Sequence, residues 1–262
     1  MADRLRIGLV QMRSEKAAIA ENAAAMSRYI DEADVKGIDI LGFPEASLTG
    51  YDDRAKYPAA TIRSDGPEME SLLALTEGRH PVVLAGFIEA NPGGLPFVAQ
   101  AVVNNGKLVG CYRKNTIVDD DVLYLTPGKA VPVFRVRDTT FGIAICSDIG
   151  NEGIFAACAR QGASIVFGLA APGLLGEQST RNWEAGFRWW EGVCLEKLGA
   201  YSREFGIWVG AATQAGRTVD EDFPGGGYVF SPRGERVLAT PDWSEGAVYA
   251  EIDFAMGTVR RV

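Results

Sequence analysis

Short apolar runs alternate with longer stretches of helical period along the chain. Residues 5–11 form a continuous apolar run suited to a buried strand, and 16–36 carry alanines and charges at the period of an amphipathic helix. A second apolar run, 38–43, stops at Pro44. Helical period returns at 68–76, followed by a strand at 82–88. Residues 97–103 and 107–112 flank Asn104-Asn105-Gly106, whose Asn-Gly step favours a tight hairpin. Residues 131–136 and 140–146 read as a strand pair, 151–161 as a helix and 164–169 as a strand. A long helical stretch, 181–205, precedes a strand at 207–212 and the turn Gly225-Gly226-Gly227. Strands at 228–231 and 236–239 bracket Pro232-Arg233-Gly234, and 247–252 is the last strand.

Strands outnumber helices, and helices separate several of them. That pattern predicts an α/β protein in layers, with room for two sheets. No internal repeat, low-complexity tract or linker interrupts it, so residues 1–262 read as one domain rather than two small ones. Apolar residues make up 47% and charged residues 23%, the balance of an ordinary globular chain. The net charge of −8, with no Lys/Arg cluster, argues against a nucleic-acid partner. No stretch reaches the roughly 18 uncharged apolar residues of a membrane span, and the first residues hold no signal-peptide apolar region.

The cysteines are Cys111, Cys146, Cys158 and Cys194, with no CxxC spacing. A zinc site is therefore disfavoured, and a reducing cytoplasm is the simplest expected setting. The only histidine is His80, in the turn-like stretch G-R-H-P. A multi-histidine metal centre is excluded, and a Ser-His-Asp or Cys-His mechanism would have to recruit that one ring.

Three positions carry candidate chemistry. Glu45 ends the apolar stretch L-G-F-P-E, where layered α/β folds place ligand groups, and a sheltered carboxylate there suits a general base. Lys114 ends a hairpin strand in C-Y-R-K; a lysine near a reacting centre stabilises a developing oxyanion. Cys146 follows the run F-G-I-A-I, just before a helix. That strand–turn–helix context is analogous to a nucleophile elbow, and it makes the Ser147 N–H a natural oxyanion donor. Taken singly, each has a bland reading: a solvated acid, a surface lysine and a core thiol.

Together the three contexts are far more specific. The chain resembles the nitrilase, or carbon–nitrogen hydrolase, superfamily, whose members carry a Glu-Lys-Cys triad in this order. F-P-E-A-S-L-T-G-Y at 43–51 resembles the family's glutamate stretch, Y-R-K at 112–114 its lysine and G-I-A-I-C-S-D at 142–148 its cysteine. Further likeness lies at 7–12, 37–40, 85–89, 125–128, 204–214 and 231–239. The resemblance implies a four-layer α-β-β-α sandwich of the nitrilase type, with Glu45 as base, Lys114 as electrostatic partner and Cys146 as nucleophile. It also implies cleavage of a non-peptide carbon–nitrogen bond through a thioester, no metal or organic cofactor, and a homodimer or higher homo-oligomer.

Departures from the family pattern bear on the substrate. Many members carry a second glutamate where this chain has Asp121, in the run Asp119-Asp120-Asp121. Asp121 either stands in for that glutamate or belongs to a solvated acidic loop. S-D-I-G-N-E at 147–152 lacks the usual Arg and Pro, and N-T-I at 115–117 replaces H-L-F. These changes surround the expected acyl pocket, for which Tyr51, Asp148, Ala171, Trp189 and Trp190 are candidates. The two tryptophans read equally as an aromatic wall or as helix packing at an interface. Ser147-Asp148 after the cysteine, in place of the Trp-Glu of nitrile-cleaving members, points to a small-molecule amide, ω-amide or N-carbamoyl substrate. A nitrile substrate and a weakly active binding scaffold are the alternatives. No P-loop is present, so an ATP-dependent synthetase activity is not expected.

Overall fold

Alternating side-chain direction along each strand decides how the strands stack. A computed structural model describes residues 4–51 and 60–262. β1 (Arg4–Gln11) leads into α1 (Ile19–Val35), β2 (Ile40–Gly42) and β3 (Thr61–Ile62). α2 (Pro67–Leu75) precedes three consecutive strands, β4 (Val82–Glu89), β5 (Phe97–Asn104) and β6 (Lys107–Arg113). β7 (Phe134–Val136) and β8 (Thr139–Ile145) are followed by α3 (Glu152–Arg160) and β9 (Ile165–Ala170). α4 (Trp183–Phe205) precedes β10 (Trp208–Thr213), β11 (Ala215–Arg217), β12 (Asp222–Pro224), β13 (Gly227–Phe230) and β14 (Arg236–Ala239). β15 (Gly246–Asp253) and β16 (Thr258–Arg261) close the chain's described elements.

Among the described residues, β16-β15-β1-β2-β4-β5-β6 form one sheet, with β3 on β4, and β14-β13-β10-β9-β8-β7 form a second. In β4, Val82, Leu84 and Ile88 enter one core while Val83, Ala85 and Phe87 enter another. In β9, Ile165, Phe167 and Leu169 join that first core, whereas Val166 and Ala170 join a third. The first core thus lies between the two sheets. The second holds Met26 and Ile30 of α1 with Met69 and Leu72 of α2. The third holds Phe155 and Cys158 of α3 with Phe187, Trp190 and Cys194 of α4. The order of layers is α-β-β-α. Strands buried on both faces read as continuous apolar runs, which is how they stand out along the sequence.

Local chemistry sets the ends. Pro67 occupies the first turn of α2, where its missing N–H costs nothing. Asn182 caps α4 by accepting from the Ala185 N–H, so that helix starts two residues later than its apolar period does. Pro132 interrupts the run at 131–136, leaving a strand of three residues. The hairpin at Asn104–Lys107 closes with positive φ at Asn105 and Gly106, as the Asn-Gly step predicts. No described helix is long and apolar enough to cross a membrane.

His80 contacts Asp39 Oδ1 at 3.1 Å, just before β2. Glu45 lies beyond the opposite end of the same strand, so the lone histidine belongs to the other edge of the sheet.

Gly86 of β4 is where the sheet and the Glu45 turn press together. A Cβ there would lie 2.3 Å from the Ala46 nitrogen and 2.6 Å from the Pro44 carbonyl oxygen. Gly86→Ala is expected to lower stability by about 1–3 kcal/mol, visible as a drop of several degrees in melting temperature by circular dichroism. An unchanged transition would mean that the turn can retreat from β4 without cost.

Candidate active site

The turn after β2 fixes Glu45 through its neighbours. The Phe43 N–H donates to the Leu84 carbonyl, and the Gln100 amide donates to the Phe43 carbonyl at 3.1 Å. Beyond Glu45, the Ser47 hydroxyl accepts from the Gly86 N–H and the Thr49 hydroxyl accepts from the Ile88 N–H. Both bonds lash the turn to β4. The Glu45 carboxylate is fully buried and accepts from Lys114 Nζ at 2.9 Å and from the Ala171 N–H at 3.1 Å.

Lys114 directly follows β6. Its N–H donates to the Val98 carbonyl, and its own carbonyl accepts from the Gly128 N–H at 2.7 Å. Gly128 must be glycine for this approach, because a Cβ would sit 2.3 Å from the Arg113 carbonyl oxygen. Only 2% of the Lys114 residue surface is exposed. Its ammonium stands 5.5 Å from the Tyr51 ring centroid.

Cys146 directly follows β8 and opens a 3₁₀ turn, Cys146–Gly150. Its φ is +44°, a left-handed conformation that side-chain-bearing residues rarely adopt. Cys146 as a residue is half-buried, and this sharp turn brings its thiol into hydrogen-bonding reach of Glu45, with the Ala171 N–H also directed at the sulfur.

The electrostatics follow from burial. Desolvation lifts the Glu45 carboxyl above its ordinary value, and the Lys114 charge moderates the rise. Desolvation also opposes the Lys114 charge, but Glu45, with Cys146 and Asp121, outweighs it and holds the ammonium protonated. The Cys146 thiol is pushed up by burial and then by the Glu45 charge. The resting arrangement is a neutral thiol against a carboxylate that is paired with a cation.

Of the other expected residues, Tyr51 stands beside Lys114 and Ala171 beside Glu45. The Tyr51 hydroxyl donates to Asp121 of the 3₁₀ turn Asp119–Leu123, so Asp121 reaches the Lys114 surroundings through that ring, while Asp119 and Asp120 are exposed. The Ser147 hydroxyl donates to the Thr116 carbonyl at 2.5 Å.

Three pocket candidates have other surroundings in the structure. Asp148 is fully buried and its carboxylate is taken up by protein donors. Trp190 is core: it is 5% exposed and its indole N–H donates to the Thr213 hydroxyl at 2.8 Å. Trp189 is half exposed and lines a surface cavity of about 460 Å³ with Leu174, Leu175 and Arg181, which Glu45, Lys114 and Cys146 do not line.

Tyr112, Asn115 and Thr116 were noted in sequence only as part of Y-R-K and N-T-I, with no role of their own, and all three meet Asp148 or the groups bound to it. Period-two spacing was the available signal for Tyr112, which lies two positions before Lys114 and is buried within β6 while Lys114 is buried just beyond it. Among the described residues, no group of His, Cys, Asp or Glu side chains is placed to hold a metal ion.

A family model described as carbon-nitrogen hydrolase matches residues 6–261. The glutamine-dependent NAD(+) synthetase of Acinetobacter baylyi is 24% identical over 264 residues, covering 98% of this chain and 46% of that protein. Nitrilase 2 of Arabidopsis thaliana is 25% identical over 278 residues, covering 90% of this chain and 76% of that protein. Among solved structures, a double mutant of the amidase from Nesterenkonia sp. AN1, in complex with acrylamide, superposes with a TM-score of 0.81 at 18% identity. That match covers 97% of this chain and 92% of the amidase. Glutamine-dependent NAD+ synthetase from Acinetobacter baumannii superposes with a TM-score of 0.79 at 21% identity, over 99% of this chain and 47% of that one. The chain thus spans about half the length of these synthetases. With the family's pattern matched almost from end to end and its layered fold reproduced, the chain belongs to the carbon–nitrogen hydrolase family.

Proposed function

We propose that this protein hydrolyses a linear, non-peptide amide through a thioester on Cys146. The observation that carries the reading is the shared carboxylate: Glu45 accepts from Lys114 at 2.9 Å and from the Cys146 thiol in the same buried site. In the proposed sequence, Glu45 removes the thiol proton as the sulfur attacks the amide carbon. The Lys114 ammonium and the Ser147 N–H stabilise the oxyanion. Glu45 returns the proton to the leaving nitrogen, the carbon–nitrogen bond breaks, and ammonia or an amine departs. Water, deprotonated by Glu45, then attacks the thioester, and collapse releases the carboxylic acid and the thiol. The site residues supply every proton transfer, so the scheme needs no cofactor.

Two comparisons narrow the substrate within this reading. The synthetase relatives are glutamine-dependent, which favours an ω-amide, and the Nesterenkonia amidase was solved with acrylamide, which favours a small aliphatic amide. Ammonia release should be measured across glutamine, short aliphatic amides, N-carbamoyl amino acids and nitriles. Turnover of an amide, with a trapped acyl group on Cys146 detected by mass spectrometry, is the expected result. Turnover of nitriles alone would overturn it.

Cys146→Ala is expected to abolish turnover while leaving the thermal transition near that of the parent. Substantial residual activity would remove Cys146 from the scheme. Glu45→Gln should lower kcat by about 10²–10⁴-fold, the usual range for a lost general base.

The pH profile carries a sign. Glu45 must be ionised to act, and burial raises its carboxyl above the ordinary 4.5, so kcat/KM should fall on acidification with a midpoint above that value. Lys114 is held protonated above its ordinary 10.5, so no alkaline loss from this group is expected below about pH 10. An acid limb at or below 4.5 would argue against Glu45 as the base.

A further inference from the structure

Asp148 is a buried carboxylate without a cationic partner among its hydrogen bonds, yet both of its oxygens are fully engaged. Oδ1 accepts from the Asn115 N–H at 3.2 Å and the Thr116 N–H at 2.7 Å. Oδ2 accepts from the Tyr112 hydroxyl at 2.7 Å and the Ile145 N–H at 3.1 Å. The donors come from two places. Tyr112, Asn115 and Thr116 bracket Lys114, at the end of the first sheet. Ile145 immediately precedes Cys146, at the end of the second. Asn115 Nδ2 donates to the Tyr112 oxygen at 3.1 Å, which obliges the Tyr112 hydrogen to point at Asp148.

We propose that Asp148 is the positioning residue that sets Lys114 relative to Cys146, by binding the segment on either side of the lysine and the turn that presents the thiol. The proposal rests on the assignment of Glu45, Lys114 and Cys146 as the reacting set. An ionised carboxylate accepts at all four positions, whereas an amide of the same shape cannot. In Asp148→Asn, the amide N–H₂ must face either the two backbone N–H groups of 115 and 116 or the Tyr112–Ile145 pair. Donor then meets donor in a buried place, and one segment must move away. Ser147 to Thr116 and Asn151 to Thr116 remain as cross-links, so the two sheets stay joined while their register at the site loosens. With Lys114 less well placed, Glu45 loses part of the charge that moderates its carboxyl, and its titration moves to higher pH.

The test uses Asp148→Asn together with Tyr112→Phe, which deletes a single donor and leaves the carboxylate in place. Two measurements are made on each: kcat per folded enzyme, counted from the amplitude of the cooperative thermal transition, and the pH dependence of Cys146 alkylation by iodoacetamide. Asp148→Asn should lower kcat per folded enzyme by about tenfold or more, with KM changed by less than about threefold. The acid limb of alkylation should shift upward by about half a pH unit or more, reflecting a weakened charge partner. Tyr112→Phe should show the same changes at smaller size. A role in folding alone would reduce the amount of folded enzyme and leave both readouts per folded molecule unchanged. That result, or an Asp148→Asn enzyme equal to the parent in both, overturns the proposal. Alkylation needs no substrate, so failure to hydrolyse any amide would count against the proposed reaction while the alkylation limb still decides the role of Asp148.

Discussion

The structure is organised around an ion pair buried where the two sheets end. Burying one carboxylate and one ammonium costs several kcal/mol per ion, and mutual attraction recovers this only when geometry and extra hydrogen bonds are good. Glu45 and Lys114 meet at 2.9 Å with almost no exposed surface. Their backbones are correspondingly constrained, Glu45 by Ser47 and Thr49 holding its turn on β4, Lys114 by Val98 and Gly128. The Ala171 N–H gives the carboxylate a second donor from the facing sheet. The pair therefore depends on both sheets, and the inter-sheet core indirectly sets its length.

That dependence gives the layers a chemical purpose. Glu45 and Lys114 extend from strands of the first sheet, and Cys146 and Ala171 from adjacent parallel strands of the second, β8 and β9. Parallel neighbours bring their C-terminal ends to the same edge, so one edge of the second sheet supplies both the thiol and the backbone donor. The apolar interior between the sheets keeps water from the pair and strengthens its field at the sulfur.

Much of this was legible in the sequence. Unbroken apolar runs such as 82–88 and 164–169 give strands buried on both faces, and the Asn-Gly step gives the β5–β6 hairpin. The residues flanking Glu45, Lys114 and Cys146 were specific enough to group them. What stayed hidden depends on contacts far apart in the chain. Ala171 was a pocket candidate, but its N–H meets Glu45 across 126 positions, and no local pattern announces that bond. Asp148 looked like a pocket residue because it is polar and two positions past the cysteine; its saturation by 112–116 exists only after the sheets stack. Short strands such as β3, β11 and β12 carry too few residues for any period to register. The Trp189–Trp190 pair separates because neighbours on a helix point about 100° apart, and here Trp190 faces the core while Trp189 is half exposed.

The left-handed backbone at Cys146 has an implication for how such a protein can change over time. A conformation of this kind costs of order 1–3 kcal/mol for a residue bearing a Cβ, a cost that glycine avoids. Position 146 is thus one where selection for thermal robustness and selection for reactivity pull in opposite directions. Under the proposed reaction, a lineage released from catalysis would gain stability by placing glycine at this very position.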